Sequence, residues 1–317
     1  MSIMVAPDDI PTWIIADVGA TNSRCALISP PSFEPTNVRH YRNDDAESLQ
    51  TILQEYLAES DVQPTDCAIA VAAPIHGDEI EMCNRDWRFN RTEISRLLGV
   101  DRTEIINDFH ALAYLLPYID DRCRQEIGSA TQYRDGNIAV LGPGSGLGMS
   151  AWITNDGGGA AMSGEGGHIS VSGRSEREDA IIARLRERFG HCSAERVLSG
   201  PGIIALHSAM HNVDVPTSEE ITSNTEDPLC AETMNQFFRF LGSTAADLAL
   251  ITGAFGGVYI AGGIVPACID RIRNSDFRSR FEDKNRYVDY MRAIPTWVIT
   301  EPTPGLSGLS VFVRQGS

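Results

Sequence analysis

Two segments of this chain share one layout, and the repetition limits the fold more than any other feature. A strand pattern over 13–16 ends in the polar glycine turn DVGATN at 17–22, and an extended apolar run resumes over 24–28. About 125 residues later the same order returns, with a strand pattern over 137–141, the turn GPGSGLG at 142–148 and another strand pattern over 149–153. Apolar runs bounded by such turns read as hairpins. Two hairpins so far apart predict a duplicated lobe, and 317 residues is more than one compact core normally holds.

Between the hairpins, strands alternate with helices. Leu49, Ile52, Leu53, Tyr56 and Leu57 fall on one face of a helix over 46–60, and the run 67–73 reads as a strand buried on both faces. A short helix over 92–98, a strand over 104–106 and a helix over 109–116 follow, so the class is α/β. The polar stretch 120–136 is the expected crossover between lobes, and 176–189, stopped by Gly190, and 231–252 are expected helices. The tail from Pro304 is too short to form a lobe and should pack back on the first. The expected division is therefore a small domain over 1–118 joined by 304–317, and a large domain over 119–303. Residues 248–269 carry no charge over 22 positions, but five glycines and Pro266 divide them into a helix end, a short strand over 258–261 and two turns, which suits a soluble core rather than a membrane span. The first residues, MSIMVAPDDIP, have neither a basic region nor a long apolar stretch, so no signal peptide is expected.

Charge narrows the chemistry. With 43 acidic against 26 basic side chains the net charge is −17, which repels nucleic acid and anionic membranes. Of the 26 basic residues 25 are arginine, and the only lysine, Lys284, lies between Asp283 and Asn285. A P-loop and the strand lysine of a protein kinase are both excluded. Any phosphate must be held by other means, and turns built from Gly, Thr and Asn expose consecutive backbone N–H groups that can do so. The seven cysteines are dispersed, with no CxxC pair, which argues against structural zinc and for reduced thiols in a cytoplasmic protein.

Asp17 would repel a phosphate beside it unless a cation lay between, for which Mg²⁺ is the natural choice; otherwise it caps its own hairpin. Arg24 either counters a transferring phosphoryl group or pairs with Asp17. Asn107 and Asp108 fall between a strand and a helix, where ligands gather in open α/β sheets; Asp108 is a candidate general base, and either residue is equally a helix N-cap. Glu165 and His168 share the loop GEGGH at 164–168. Glu195 follows Ser193, which reads as the cap of a helix whose dipole would favour the Glu195 charge. Carboxylates, an amide and one imidazole suit hydrogen bonding to a polyol better than zinc. The alternating glycines of 142–148 lack the following helix of a dinucleotide fingerprint.

Taken together, these residues resemble the bacterial glucokinases of the non-ROK type, within the actin/hexokinase/heat-shock ATPase superfamily. The resemblance is carried in order by DVGATNSR at 17–24, AIAVAAPIHGD at 68–78, MCN at 82–84 with Trp87 and Phe89, IINDF at 105–109, GSGLG at 144–148, GEGGH at 164–168, SAERVLSGPG at 193–202, FGGVYIAGGIVP at 255–266 and FEDK at 281–284. It implies a two-lobed actin-like ATPase (ribonuclease H-like) fold with duplicated mixed sheets and an interlobe cleft. It also implies transfer of the ATP γ-phosphoryl group to the 6-hydroxyl of glucose. By motif position, Asp108 is the implied general base, and Asn107, Asp108, Glu165, His168 and Glu195 hold the sugar. Asp17, Gly19, Ala20, Thr21, Asn22 and Arg24 are the implied first phosphate turn with Mg²⁺ near Asp17. Gly144, Ser145 and Gly146 are the second turn, and Gly262 and Gly263 the adenosine contact. The family further implies a homodimer, with no nucleic-acid or membrane partner. A kinase for another hexose and a sugar-responsive regulator are the alternatives. Ala20 stands where a second glycine is usual, Pro143 and Ser145 alter the second turn, Ser163 replaces a usual proline and Ala254 a common threonine.

Overall fold

A computed structural model describes residues 11–83, 85–213 and 217–316. Most of the N-terminal stretch MSIMVAPDDIP, and Asn84 of the MCN motif, lie outside the described residues. The chain divides into two compact units, one comprising the chain up to Leu116 together with the return from Pro302, the other Pro117–Glu301.

The first unit holds β1 (Trp13–Val18), β2 (Asn22–Ile28), β3 (Thr36–Arg42), β4 (Asp66–Val71), the small hairpin β5 (Glu79–Glu81) and β6 (Arg88–Asn90), and β7 (Arg102–Asn107). The second holds β8 (Arg124–Glu126), β9 (Ile138–Pro143), β10 (Leu147–Asn155), β11 (Gly158–Met162), β12 (Gly257–Ile260) and β13 (Thr296–Ile299). The sheet orders are β3-β2-β1-β4-β7 and β11-β10-β9-β12-β13-β8. In each, the first hairpin strand starts an antiparallel meander with the next two strands and, on its other side, a parallel run through two later ones. The repetition expected from the two glycine turns is thus a repetition of whole sheet topology. The second sheet adds only β8, antiparallel to β13. The polar stretch 120–136, expected as a plain crossover, therefore carries an edge strand.

Alternation sorts the first sheet into two faces. Ile14, Ala16, Val18, Ile69 and Val71 pack on Leu49, Ile52, Leu53 and Tyr56 of the helix Leu49–Ala58. Trp13, Ile15, Ala68 and Ala70 face the opposite way, against Ala111, Leu306, Leu309 and Val313. The tail is thus a helix, Pro304–Gly316, buried on the sheet beside the helix Asp108–Leu115. Its Gly308 is there because a Cβ would stand 2.1 Å from the Ala111 carbonyl oxygen. In the second unit, Leu141, Ala151, Val258 and Ile260 share a core with Phe237, Phe238 and Leu241 of the long helix Pro228–Thr252. That helix stops at Gly253, at φ +62°, so the uncharged stretch 248–269 divides as read from its glycines. Among the described residues no helix is long and apolar enough to cross a membrane.

Among the described residues, Glu178 is the buried carboxylate of the second unit. Ser175 caps its helix, Glu176–Phe189, by accepting the Glu178 N–H. Arg280 donates two hydrogen bonds to the Glu178 carboxylate at 2.9 and 2.7 Å, with Gln236 and the Arg174 N–H adding others. Burial pushes this carboxyl up, but the Arg280, Gln236 and backbone hydrogen bonds outweigh it and hold it below its ordinary value.

Two predictions follow from this packing. Gly308→Ala forces two helix backbones apart and should lower stability by about 1–3 kcal/mol, read as a lower denaturation midpoint at unchanged m-value. Because Glu178 is depressed in the folded state, its ion pair contributes above the ordinary carboxylate pKa of about 4.3 and is lost as pH falls through the lower folded value. Glu178→Gln should therefore cost about 3–5 kcal/mol at pH 7, and the gap from the parent protein should shrink as the pH drops below about 4.

Candidate functional site

Parallel pairing collects the chemistry of the first unit at one sheet edge. Val18 pairs with Val71 and Val71 with Asn107, so the chain leaves β1, β4 and β7 along one row. The turn 19–22, Pro74 and Asp108 all follow that row. Asp17 lies one residue before it, and its cross-strand neighbour is Arg24, with Nη1 3.4 Å from Asp17 Oδ2. Burial pushes the Asp17 carboxyl up, against the pull of the Arg24 charge and hydrogen bond. Arg24 Nε is buried and meets no acceptor among the described residues. Behind Asp17 stands Gly305, whose Cβ would lie 2.5 Å from the carboxyl carbon. Ala20 and Thr21 form the tip of the turn, with Thr21 and Asn22 exposed. Ala20 is not among the residues of positive φ, so alanine fits where glycine is usual.

Asn107 is the cap of the helix Asp108–Leu115: its Oδ1 accepts the N–H groups of Phe109 at 2.9 Å and His110 at 3.1 Å. Its Nδ2 donates to the Ala73 carbonyl at 3.3 Å. Asp108 is therefore spared the capping role. It opens the helix, half-buried, with Oδ1 2.9 Å from the Phe109 nitrogen, where the peptide dipoles favour a negative charge. A recess of about 410 Å³ at the same edge is lined by Pro74, His76, Glu79, Glu81, Met82 and Cys83, none of them a sequence-predicted site residue.

The second unit repeats the arrangement. Leu141 pairs with Ile260, so the turn after β9 and Gly262–Gly263 after β12 share the C-terminal edge of the sheet. Gly262 has φ +80°, and a Cβ on it would stand 2.3 Å from the Pro143 carbonyl oxygen, so it seats directly against the second turn. Gly144 is fixed by its N–H to the Gly146 carbonyl and by the Gly200 N–H to its own carbonyl, both at 2.8 Å. Ser145 is exposed at the tip, and open space surrounds Gly144 and Gly263 where side chains would be.

The loop 164–168 lies across the start of β10, where a Cβ on Gly167 would come within 2.0 Å of the Leu147 carbonyl oxygen. Glu165 and His168 are exposed on that loop, closed by the His168 N–H to the Glu165 carbonyl at 3.1 Å. Residues 169–171 then bond to 192–194, through Ala194 N–H to Ile169 and Val171 N–H to Cys192, which brings Glu195 to the same rim. Glu195 Oε2 accepts the Leu147 N–H at 3.0 Å and crowds Gly146. The expected helix at Ser193 is only a single turn, Ala194–Arg196, and the Ser193 side chain caps nothing. The helix proper starts at Gly200 behind Ser199. The Leu147 N–H, rather than a helix dipole, steadies Glu195.

Glu165, His168, Glu195, Gly144, Ser145, Gly146, Gly262 and Gly263 thus gather in one unit, and Asp17 to Arg24, Asn107 and Asp108 in the other. Reasoning from the sequence missed Gly305, and it missed Asn43 and Arg85, which reach the back of the first turn. Only the spacing of Gly305 and Gly308 carried a signal, as two small residues three apart on one helix face.

A family model for glucokinase matches residues 14–316. The glucokinase of Photorhabdus laumondii is 38% identical over 95% of this chain and 97% of its own. That of Aromatoleum aromaticum is 41% identical over 93% of this chain and 92% of its own. Among solved structures, the glucokinase from an Antarctic psychrotroph superposes with a TM-score of 0.83 at 33% identity, covering 96% of this chain and 99% of that one. The shared fold is that of the actin-like ATPases, related to ribonuclease H. Because the match runs through both duplicated units and the relatives are covered almost end to end, the chain belongs to the glucokinase family.

Proposed function

We propose that this protein transfers the γ-phosphoryl group of ATP to the 6-hydroxyl of glucose, giving glucose 6-phosphate and ADP, with Asp108 as general base. The observation that carries this reading is the placing of Asp108 on the same sheet edge as the Asp17–Arg24 turn, with its helix already capped by Asn107. A carboxylate at that edge, opening the helix beside the turn, is placed to accept a proton. In the reaction the 6-oxygen attacks the γ-phosphorus in line, its proton passes to an Asp108 carboxylate oxygen, and the bond from the γ-phosphorus to the bridging oxygen breaks. Asn107 offers its remaining amide hydrogen to the sugar, and Glu165, His168 and Glu195 bond the other hydroxyls. The 17–24 turn and the 142–148 turn take the phosphates, with Gly262 and Gly263 at the adenosine. Holding the reactants in line supplies much of the rate in phosphoryl transfer.

The residues also fit a magnesium ion brought in by the nucleotide. Asp17 offers one carboxylate, and no group of three or more His, Cys, Asp or Glu among the described residues forms a cage of its own. Mg²⁺ characteristically binds through one or two carboxylates plus substrate phosphates and, when bound, neutralises phosphate charge. Arg24, with its buried and unpaired Nε, supplies a second positive group beside it. We also read the protein as a cytoplasmic homodimer of glycolysis, resting on the family resemblance and on seven free, dispersed thiols.

Asp108→Asn keeps the shape and removes the base. It should lower kcat by about 10²–10⁴ while calorimetric ATP binding stays near the parent value. Near-normal turnover in this variant would remove Asp108 from the mechanism. In a coupled assay across sugars, kcat/KM should be highest for glucose. A higher value for fructose, mannose or an amino sugar would reassign the substrate, and ADP release independent of any sugar would point away from a sugar kinase altogether.

A further inference from the structure

All three carbonyls at the tip of the first turn are tied down from behind. The Gly19 oxygen accepts Asn43 Nδ2 at 2.8 Å, the Ala20 oxygen accepts Arg85 Nε at 3.2 Å, and the Thr21 oxygen accepts the backbone N–H of Asn43 at 2.9 Å. Asn43 is fully buried, with Oδ1 accepting the Ser23 hydroxyl at 2.7 Å. Arg85 also donates through Nη1 to the Asn43 carbonyl at 3.0 Å, pairs through Nη2 with Asp44, and lies 5.0 Å from the centre of the Trp87 ring. Asn43 and Arg85 thus form one clamp, anchored at the end of β3 and between β5 and β6.

Planar trans peptides turn this into a statement about the other face of the turn. The N–H of each residue points opposite to the carbonyl of the residue before it. Fixing the carbonyls of Gly19, Ala20 and Thr21 on the inner side therefore aims the N–H groups of Ala20, Thr21 and Asn22 outward. Those of Ala20 and Thr21 meet no acceptor among the described residues. Left loose, any of these peptides could flip and present a carbonyl to an anion. The Arg85 guanidinium also places a fixed positive charge behind the turn, in a chain whose one lysine is paired with Asp247.

We propose that Asn43 and Arg85 are positioning residues for the phosphoryl donor, holding the first turn so that its N–H groups face the phosphates. The proposal rests on the reading of that turn as a phosphate site, and the test separates the two. Arg85→Ala and Asn43→Asp, the latter removing the Nδ2 donor at nearly constant shape, should each raise the KM for ATP on the order of tenfold. The KM for glucose, kcat and the melting temperature of Arg85→Ala should stay near the parent values. Calorimetry should show weakened binding of ATP and ADP by both variants and unchanged binding of adenosine, because only phosphates meet the turn. Equal losses for ATP and adenosine, or no loss for ATP, would overturn the clamp. Thr21→Asp places a carboxylate on the exposed tip and should abolish ATP binding. If it binds ATP normally, the phosphate reading fails; if it loses ATP while both clamp variants bind normally, the clamp alone fails.

Discussion

A parallel ladder fixes where its strands end relative to one another, and in each unit that register decides what chemistry is possible. Val18, Val71 and Asn107 share a row, so the 19–22 turn and the Asp108 carboxylate, far apart in sequence, emerge side by side. The same pairing in the second unit sets the turn after β9 beside Gly262. A slip of one residue in β7 would turn Asp108 to the other face of the sheet. The register is in turn specified by two apolar faces: Ala68 and Ala70 admit helices closely on one side, while Ile69 and Val71 fill the other.

Charge is handled locally. A protein at −17 that meets ATP has no general attraction for it. Near Asp17 the positive groups are Arg24 and, behind the turn, Arg85, while most other arginines are engaged with carboxylates elsewhere, Arg280 with Glu178 and Arg174 with Asp283 among them. The neutral sugar asks for no such balance. Glu165 and Glu195 stand at the rim of the second unit, and the Leu147 N–H steadies Glu195.

Most of the frame was legible in the sequence because burial leaves a period. The strands β1, β4 and β9 are apolar on both faces, and the helix Leu49–Ala58 shows its buried stripe at Leu49, Ile52, Leu53 and Tyr56. β3 was not legible: TNVRHYR is a largely exposed strand with no apolar side to reveal it. β8 is three residues of polar sequence whose only warrant is a ladder with β13. The site divided likewise. Glycine turns and strand-end carboxylates announce themselves locally, whereas Asn43 and Arg85 act on carbonyls 24 and 65 residues away through ordinary polar groups. Ser193 misled because a serine before an acidic residue looks the same ahead of one turn as ahead of a helix, and the real cap, Ser199, lies six positions on.

The contact of Gly305 with Asp17 gives the molecule a direction in time. β1 is made long before the helix carrying Gly305. Until that helix is made the first turn exists without the wall that closes behind its carboxylate, and on that side of the sheet Ala68 and Ala70 have only the helix Asp108–Leu115 against them. A polypeptide that stops short of Pro304, with every residue of the second unit already made, still lacks the wall behind Asp17. The first unit is thus closed by a segment made after the whole of the second, and the surroundings of Asp17 are finished late.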